Sequence, residues 1–212
     1  MILNEILNFG ISKKYFKILP IKDIEKSCCD LEFRIIDFDE SKDLICKASE
    51  QTTRKSCDGL YLHKSIDFIE FKSINNFFSK EFKYRLKANK TNISESQIIK
   101  EKVSKFNFNK KIRDSVWIWD YIINHHEIKL KNDVLESVYK IEKNYFIVKD
   151  NSQPLINLAI QFNTLGQIQN NKLSNHETMD ILINESLDKI TIINKPQLID
   201  CKQLKKYLEE TT

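Results

Sequence analysis

The stretch CDGLYLHKSIDFIEFK, residues 57–72, constrains the fold of this chain more than any other segment. Two short apolar runs, residues 57–62 and 66–72, flank a polar break at His63–Ser65. Runs of this length, rich in aromatic and branched residues and separated by a short polar connection, are typical of a β-hairpin. We therefore predict two adjacent antiparallel strands inside a sheet, with a turn centred on Lys64.

The position of this turn determines which side chains meet across the predicted hairpin. With the turn centred on Lys64, Asp58 lies opposite Glu70, and directly opposed residues have Cβ atoms about 4.5–5.5 Å apart. Glu70 and Lys72 share a face because the side chains of a strand alternate with a period of two. The sequence therefore predicts that Asp58, Glu70 and Lys72 converge at one end of the hairpin.

Two carboxylates at this distance repel each other unless a cation lies between them. Lys72 is one candidate for that cation, as a salt-bridge partner. A divalent metal fits better, because Mg²⁺ binds hard carboxylate oxygens and keeps several waters. Such a metal polarises a phosphodiester and acidifies a bound water, while a lysine ammonium orients that water or stabilises the transition state. We predict that Asp58 and Glu70 bind Mg²⁺ or Mn²⁺, and that Asp58, Glu70 and Lys72 are catalytic.

These residues resemble the motif of the PD-(D/E)xK phosphodiesterase superfamily, which has the restriction-endonuclease-like fold. Cys57-Asp58 stands at the PD position and Glu70-Phe71-Lys72 at the (D/E)xK position. The resemblance covers about residues 40–125 and implies a mixed sheet flanked by helices. It also implies an acid from an upstream helix as a third metal ligand, for which Glu50 is the best match and Glu40 a poorer one.

Positive charge is concentrated in residues 80–113, although the formal net charge of the whole chain is only +4. Aromatic residues interleave with these cations, and such a cluster suits a polyanion because released counterions drive phosphate binding. The alternative interpretation is a solvated helix face. In the superfamily, the helix after the second acid commonly helps to bind nucleic acid. The predicted nucleic-acid contacts are Lys83, Arg85, Lys87, Lys100, Lys102, Lys105, Lys110 and Lys111.

Glycine is scarce, with only Gly10, Gly59 and Gly166 in the 212 residues. A dinucleotide-binding fingerprint or a phosphate-binding loop needs several closely spaced glycines, which excludes the standard nucleotide-binding kinases, ATPases and dehydrogenases. No apolar run approaches the ~18 residues of a membrane helix. The start, MILNEILNFG, lacks a basic region and a cleavage site, so we expect a mature N-terminal helix, no membrane association and a cytoplasmic location.

The number and spacing of the cysteines also bear on the cellular compartment. The cysteines are Cys28, Cys29, Cys46, Cys57 and Cys201. Their number is odd and no pair has C-x-x-C spacing, which argues against a disulfide framework and against a zinc ribbon. We therefore predict free thiols in a reducing cytosol.

The hydrophobic patterns along the chain predict a mixed α/β (α+β) fold with a central mixed sheet flanked by helices, around a restriction-endonuclease-like core. Beyond the hairpin, the predicted strands are residues 31–38, 144–150, 155–162 and 189–194. The predicted helices are the N-terminal one, residues 41–51 with Ser41 as N-cap, and residues 94–106, 111–124, 131–142 and 201–210. We predict a single domain, 1–212, with a nuclease-like core at about 31–150 and a C-terminal α/β extension at 151–212.

The sequence as a whole predicts an intracellular, metal-dependent nuclease that hydrolyses phosphodiester bonds of nucleic acid, with DNA as the favoured substrate. The alternative is a non-catalytic interaction protein on the same fold, which binds a protein partner. An immunity or antitoxin protein, or a component of a phage or defence assembly, belongs to that class. The two readings differ in one measurable property, because only the nuclease needs Mg²⁺ or Mn²⁺.

Overall fold

The fold is seen in a computed structural model, which describes residues 2–50, 54–88, 93–124, 130–150, 174–194 and 196–211. In this part of the chain, a six-stranded sheet has its strands side by side in chain order. The strands are β1 (Ile18–Pro20), β2 (Arg34–Asp37), β3 (Gly59–Leu62), β4 (Ile66–Lys72), β5 (Lys143–Lys149) and β6 (Gln197–Asp200).

The direction of pairing changes in the middle of this sheet. The strands from β1 to β4 pair antiparallel, whereas β4 with β5 and β5 with β6 pair parallel. Parallel neighbours need a long crossover connection, and the chain between β4 and β5 contains several helices. The predicted mixed sheet flanked by helices is confirmed.

Helices cover both faces of the sheet. They are α1 (Ile2–Ser12), α2 (Ile21–Ile24), α3 (Phe38–Ala48), α4 (Ile74–Asn76), a π-helical segment (Phe77–Phe82), α5 (Lys83–Ala88), α6 (Glu95–Phe106), α7 (Phe108–Ile123), α8 (Asn132–Tyr139), α9 (Asn175–Leu187) and α10 (Cys201–Thr211). None of these helices has the length and apolar character needed to cross a membrane.

Alternate side chains of the central strands enter two separate apolar cores, as the period of two requires. Phe68 and Ile147 enter the larger core, to which α1, α3, α6, α7 and α9 contribute. Ile69 and Val148 enter the smaller core, which α2 and α10 cover. The sheet is therefore the middle of three layers, and each face of β4 meets different helices.

Helix α3 begins earlier than the sequence predicted, because Asp37 and not Ser41 is its N-cap. The carboxylate of Asp37 accepts a hydrogen bond from the backbone N–H of Glu40 at 3.1 Å. The Ser41 hydroxyl instead donates to the Asp37 carbonyl at 3.0 Å, within the first turn. Asp and Ser cap helices about equally well, so the pattern offered two candidates and the prediction of Ser41 is wrong. Ser94 caps α6 as predicted.

The C-terminal extension joins the same sheet as the core. The predicted strand at 189–194 is wrong, because these residues form irregular chain in which Ile190 is buried and Ile192 is 45 % exposed. Those two residues would share a face if the segment were a strand. The extension instead contributes β6, which pairs with β5. The predicted strand at 155–162 lies outside the described residues.

Cys29 and Cys201 form a disulfide, so the prediction of free thiols is wrong for this pair. The two residues are 172 positions apart, and their proximity depends on how the C-terminal helix packs against the smaller core. Sequence spacing carries no information about such packing. Cys28, Cys46 and Cys57 are free and buried.

Replacing both disulfide cysteines by serine should lower the free energy of unfolding by about 2–4 kcal/mol, because the cross-link restricts the unfolded chain. The measurement is urea unfolding of the Cys29→Ser/Cys201→Ser variant beside non-reduced wild type. Cys46→Ser is the control, since that buried thiol forms no disulfide. Equal unfolding midpoints for the double variant and wild type would show that the cross-link contributes nothing in solution.

Candidate active site

The β3–β4 hairpin forms with the predicted register. Gly59 pairs with Ile69, which places Asp58 directly opposite Glu70 at the end of the ladder. Strand alternation turns Glu70 and Lys72 toward the larger core, the side on which α7 packs. The three residues that the sequence singled out therefore lie together at one end of the hairpin.

Glu70 is the centre of a buried charged cluster. Its side chain is fully buried, and its Oε1 accepts hydrogen bonds from Nζ of Lys72 and from Nζ of Lys111, the latter at 2.6 Å. The Lys111 ammonium also lies 3.7 Å from Oδ1 of Asp58. A cation from the protein therefore bridges the two acids, as a close pair of carboxylates requires.

The second carboxylate oxygen of Glu70, Oε2, is buried and has no hydrogen-bond partner within the described part of the chain. Leaving a buried acceptor without a partner typically costs about 1–3 kcal/mol, and more for a charged group. This oxygen, together with Oδ1 of Asp58, offers the hard oxygen ligands that Mg²⁺ and Mn²⁺ prefer. The donor set fits the predicted metal.

Asp58 is oriented by the backbone of the neighbouring strand. Its Oδ2 accepts a hydrogen bond from the N–H of Phe71 at 2.7 Å, which leaves Oδ1 directed toward Lys111. Burial raises the pKa of Asp58 to about 7, and Glu70 acts in the same direction, while Lys72 and Lys111 act against them. The Asp58 carboxyl therefore titrates near neutral pH.

Lys111 was predicted to contact nucleic acid, and its ammonium lies inside the acid cluster instead. Burial on its own lowers the pKa of Lys111, but Glu70 and Asp58 outweigh burial and raise the pKa above its usual value. The ammonium is therefore charged at any physiological pH. No spacing in the sequence connects Lys111 with residues 58 and 70, because the contact arises only when α7 packs on the sheet.

Hydrogen bonds to the chain before β3 fix α7 in this position. The Ser115 hydroxyl accepts from the N–H of Cys57 at 2.8 Å. The Asp114 carboxylate accepts from the N–H of Lys55 at 2.9 Å. Cys57, at the PD position of the motif, therefore serves as a backbone anchor for the helix that carries Lys111.

Glu50, the predicted third metal ligand, lies outside this cluster. It is exposed in the turn after α3, in a left-handed conformation with a φ of 54°. Glu40, the poorer match, pairs with Lys17 at 2.9 Å. Among the described residues, no further acid or histidine completes a group of three ligand atoms with Asp58 and Glu70. Water is the source of further ligands that Mg²⁺ commonly uses.

The predicted nucleic-acid contacts separate into two groups. Those in the first pair with acids of the same chain: Arg85 with Glu101, Lys102 with Glu81, Lys110 with Asp114, and Lys111 with Glu70. Those in the second are exposed and enter none of the ion pairs seen in the described ranges: Lys83, Lys87, Lys100 and Lys105. Charge that is available to a polyanion is therefore concentrated in the second group.

A second buried acid lies on the opposite face of the hairpin. Asp67 accepts hydrogen bonds from Ser65 Oγ at 2.6 Å, Tyr207 OH at 2.8 Å and Asn144 Nδ2 at 2.9 Å. His63 Nε2 lies 2.8 Å from the Asp67 carboxylate and 2.8 Å from the Ser65 hydroxyl. Acid and hydroxyl meet the same ring nitrogen, whereas a catalytic triad needs them at opposite nitrogens. This network stabilises the sheet and the docking of α10.

No protein-family model, no curated protein and no solved structure shows a significant match to this chain. The resemblance to the PD-(D/E)xK superfamily therefore stays a prediction that depends on the motif residues and their geometry.

Proposed function

We propose that this chain is a metal-dependent nuclease with its active site at Asp58, Glu70 and Lys72. The observation that supports the proposal most strongly is the convergence of two carboxylates and a lysine ammonium at the end of a buried hairpin. The oxygen of Glu70 that lacks a partner adds to it. Clusters of ionisable groups with perturbed pKa values are concentrated at functional sites.

The residues of the proposed site have different chemical roles. Asp58 Oδ1 and Glu70 Oε2 would hold Mg²⁺ or Mn²⁺, which when bound supplies an acidified water and neutralises charge on a phosphate. Lys72 holds its ammonium between Glu70 and the ring of Phe106, 5.4 Å from the ring centroid. From there it orients the attacking water or stabilises the charge that develops on the phosphate.

The proposed substrate is nucleic acid, with DNA favoured, and the proposed location is the cytoplasm. The exposed lysines of the second group, such as Lys100 and Lys105 on α6, support a polyanionic partner. Membership of the PD-(D/E)xK superfamily is part of the same proposal. The Cys29–Cys201 disulfide is more typical of an oxidising compartment, so fractionation of cells and detection of the protein in each fraction tests the proposed location.

A second candidate is a non-catalytic interaction protein built on the same hairpin, with a protein as its partner. The observation that favours it is the position of Lys111, whose ammonium already bridges Asp58 and Glu70. Two lysines then neutralise two acids without a metal. The two candidates therefore differ in whether a divalent cation enters this cluster.

Asp58→Asn should abolish metal-dependent cleavage, because an amide is a weaker ligand than a carboxylate, and excess Mn²⁺ should restore part of the rate. The assay uses single- and double-stranded DNA and RNA with Mg²⁺, Mn²⁺ or EDTA. Asp43→Asn is the control, since Asp43 is 70 % exposed on α3. Wild type that cleaves no substrate, with a melting temperature that neither metal changes, would support the non-catalytic candidate.

A further inference from the structure

A pocket of about 900 Å³ opens where the parallel strands β4, β5 and β6 end. Ser73 follows β4, Asp150 follows β5 and Cys201 follows β6, and all three residues line the pocket. Open α/β sheets bind their ligands in the crevice outside the carboxyl ends of the strands. The lining comes from both sides of this sheet edge, because Cys201 belongs to the smaller core and Phe78 packs against the larger one.

Lysines from separate parts of the chain face this pocket. Lys80 and Lys83 come from the helical segment after β4, and Lys202 and Lys205 come from α10. All are exposed. Within the described ranges, the ion pair of Lys205 is a solvent-exposed one with Glu209 at 3.7 Å, which contributes little. Two separate elements therefore present exposed ammonium groups to one cavity, a suitable arrangement for a phosphate-bearing ligand.

The acids in the pocket only partly offset this charge. They are Asp30 and Asp150. The Asp150 carboxylate is already engaged, because it accepts hydrogen bonds from the N–H of Ile74 at 2.9 Å and from the Ser73 hydroxyl at 3.0 Å. Asp150 therefore stabilises the start of α4 and keeps its charge, but the four lysines of the lining outnumber its two acids.

Aromatic rings form another part of the wall. Phe78 and His176 both line the pocket, and their ring centroids lie 4.3 Å apart. Phe78 is partly exposed. Partly exposed rings stack on nucleobases without regard to sequence, and each such contact contributes about 1–3 kcal/mol. The pocket therefore combines groups for a phosphate with a surface for a base.

A disulfide joins two of the segments that line the pocket. The disulfide joins Cys201, the first residue of α10, to Cys29 beside the pocket-lining Cys28. The start of α10, which carries Lys202 and Lys205, is therefore tied to the segment that contributes Cys28 to the pocket. A pre-organised site loses less conformational freedom when its ligand binds.

We propose that this pocket binds a nucleotide unit, with its phosphates on the lysines of both walls and its base against Phe78. The volume is in the range of about 300–1,000 Å³ that is typical of small-molecule sites, and it is far larger than a phosphate ion needs. The unit is either a free nucleotide or one residue of a nucleic-acid strand. This inference does not depend on cleavage at Asp58 and Glu70.

The test measures binding in EDTA, so that cleavage cannot contribute. A fluorescently labelled 12-nucleotide single-stranded DNA is titrated at several salt concentrations, with ADP and pyrophosphate as competitors. Lys205→Gln is compared with Lys206→Gln, because both lysines are exposed on α10 and pair with an i+4 glutamate, but only Lys205 lines the pocket. The double variant Lys83→Gln/Lys205→Gln is compared with Lys64→Gln/Lys206→Gln, which has the same net charge.

A plot of the logarithm of the DNA association constant against the logarithm of the salt concentration has a negative slope. We expect this slope to become shallower by about 1.4 in Lys83→Gln/Lys205→Gln, because each lost phosphate contact with a single strand removes ~0.7. The control pair should keep the wild-type slope. Phe78→Leu should weaken the binding with little change of slope. Displacement of the DNA by ADP would identify a free nucleotide as the ligand, and retention of the DNA would identify a strand.

Two results would overturn the proposal. One is an equal loss of affinity in the pocket and control variants, which would mean that only the overall charge matters. The other is wild type that binds neither the DNA nor ADP. Cleavage that is lost while pocket binding persists would count against the proposed nuclease alone, and cleavage that persists in Lys83→Gln/Lys205→Gln with unchanged binding would count against the pocket alone.

Discussion

Replacing Lys72 by methionine is expected to reduce metal-dependent cleavage by about 10²–10³-fold, which is the usual cost of removing one group that stabilises transition-state charge. Methionine keeps an unbranched apolar stem and removes the ammonium group, which lies 5.4 Å from the centroid of the Phe106 ring. Affinity for nucleic acid should change little, because the proposed ammonium acts on the attacking water and the transition state. The measurements are single-turnover cleavage rates in Mg²⁺ and binding of the same substrate in EDTA.

The matched control for this variant is Lys64→Met, an exposed lysine at the turn of the same hairpin. Thermal melts of both variants show whether the fold persists, since Lys72 also pairs with the buried Glu70. A Lys72→Met protein that is folded and cleaves at the wild-type rate would remove Lys72 from the mechanism. A proportional loss of cleavage and binding would mean that Lys72 binds the substrate and does not act on the transition state.

The hairpin and its register could be predicted because they depend on local properties of the sequence. The turn at Lys64 and the period of two together fix which residues oppose each other. The sequence therefore predicts Asp58 opposite Glu70, and the observed pairing of Gly59 with Ile69 confirms the register that places them so. The same local reasoning predicted the cap of α6 at Ser94.

Features that depend on packing between distant segments could not be predicted in this way. Lys111 enters the acid cluster because Ser115 and Asp114 dock α7 against the chain before β3. Cys29 meets Cys201 because α10 covers the smaller core. Neither contact leaves a periodic signal in the sequence. The pocket between α10 and the segment after β4 was missed for the same reason.

The basic segment shows that composition does not determine which cations are available, because acids of the same segment pair with some of them. A lysine-rich helix face has the same composition whether its cations face solvent or meet carboxylates from other elements. Lys102 meets Glu81 and Arg85 meets Glu101, so their charges are already balanced. Lys202 and Lys205, far along the chain, instead face a pocket together with Lys83. The available positive charge in the described part of the chain therefore does not coincide with the predicted set of nucleic-acid contacts.

Lys111 is the residue that distinguishes the two candidate functions. If the cluster binds a metal, the ammonium of Lys111 and the metal compete for Asp58 Oδ1 and for the Glu70 carboxylate. If the protein is non-catalytic, Lys111 is simply the permanent partner of these acids. Removing its charge should therefore strengthen metal binding under the first reading and produce no metal effect under the second, while the loss of stability without metal is common to both.

Lys111→Met should lower the free energy of unfolding in EDTA by about 3–5 kcal/mol, because a buried carboxylate loses one of its two cations. Lys72 still contacts Glu70, so we expect the lower end of that range. Adding Glu70→Gln should recover part of this loss, since the unpaired buried charge is then removed. Lys110→Met is the control. The Lys110 side chain is half exposed, so its ion pair with Asp114 should contribute less than about 1 kcal/mol to the free energy of unfolding.

Divalent metal should then stabilise Lys111→Met more than wild type, because the oxygens that Lys111 occupied become free to bind it. A metal present at a hundred times its dissociation constant stabilises the folded state by about 2.7 kcal/mol, so Mg²⁺ or Mn²⁺ should offset most of the loss. The measurement is urea unfolding of wild type, Lys111→Met and Lys110→Met in EDTA and in a series of metal concentrations. Lys111→Met that is destabilised but gains nothing from either metal would mean that Asp58 and Glu70 hold no cation other than lysine, and the non-catalytic function would follow.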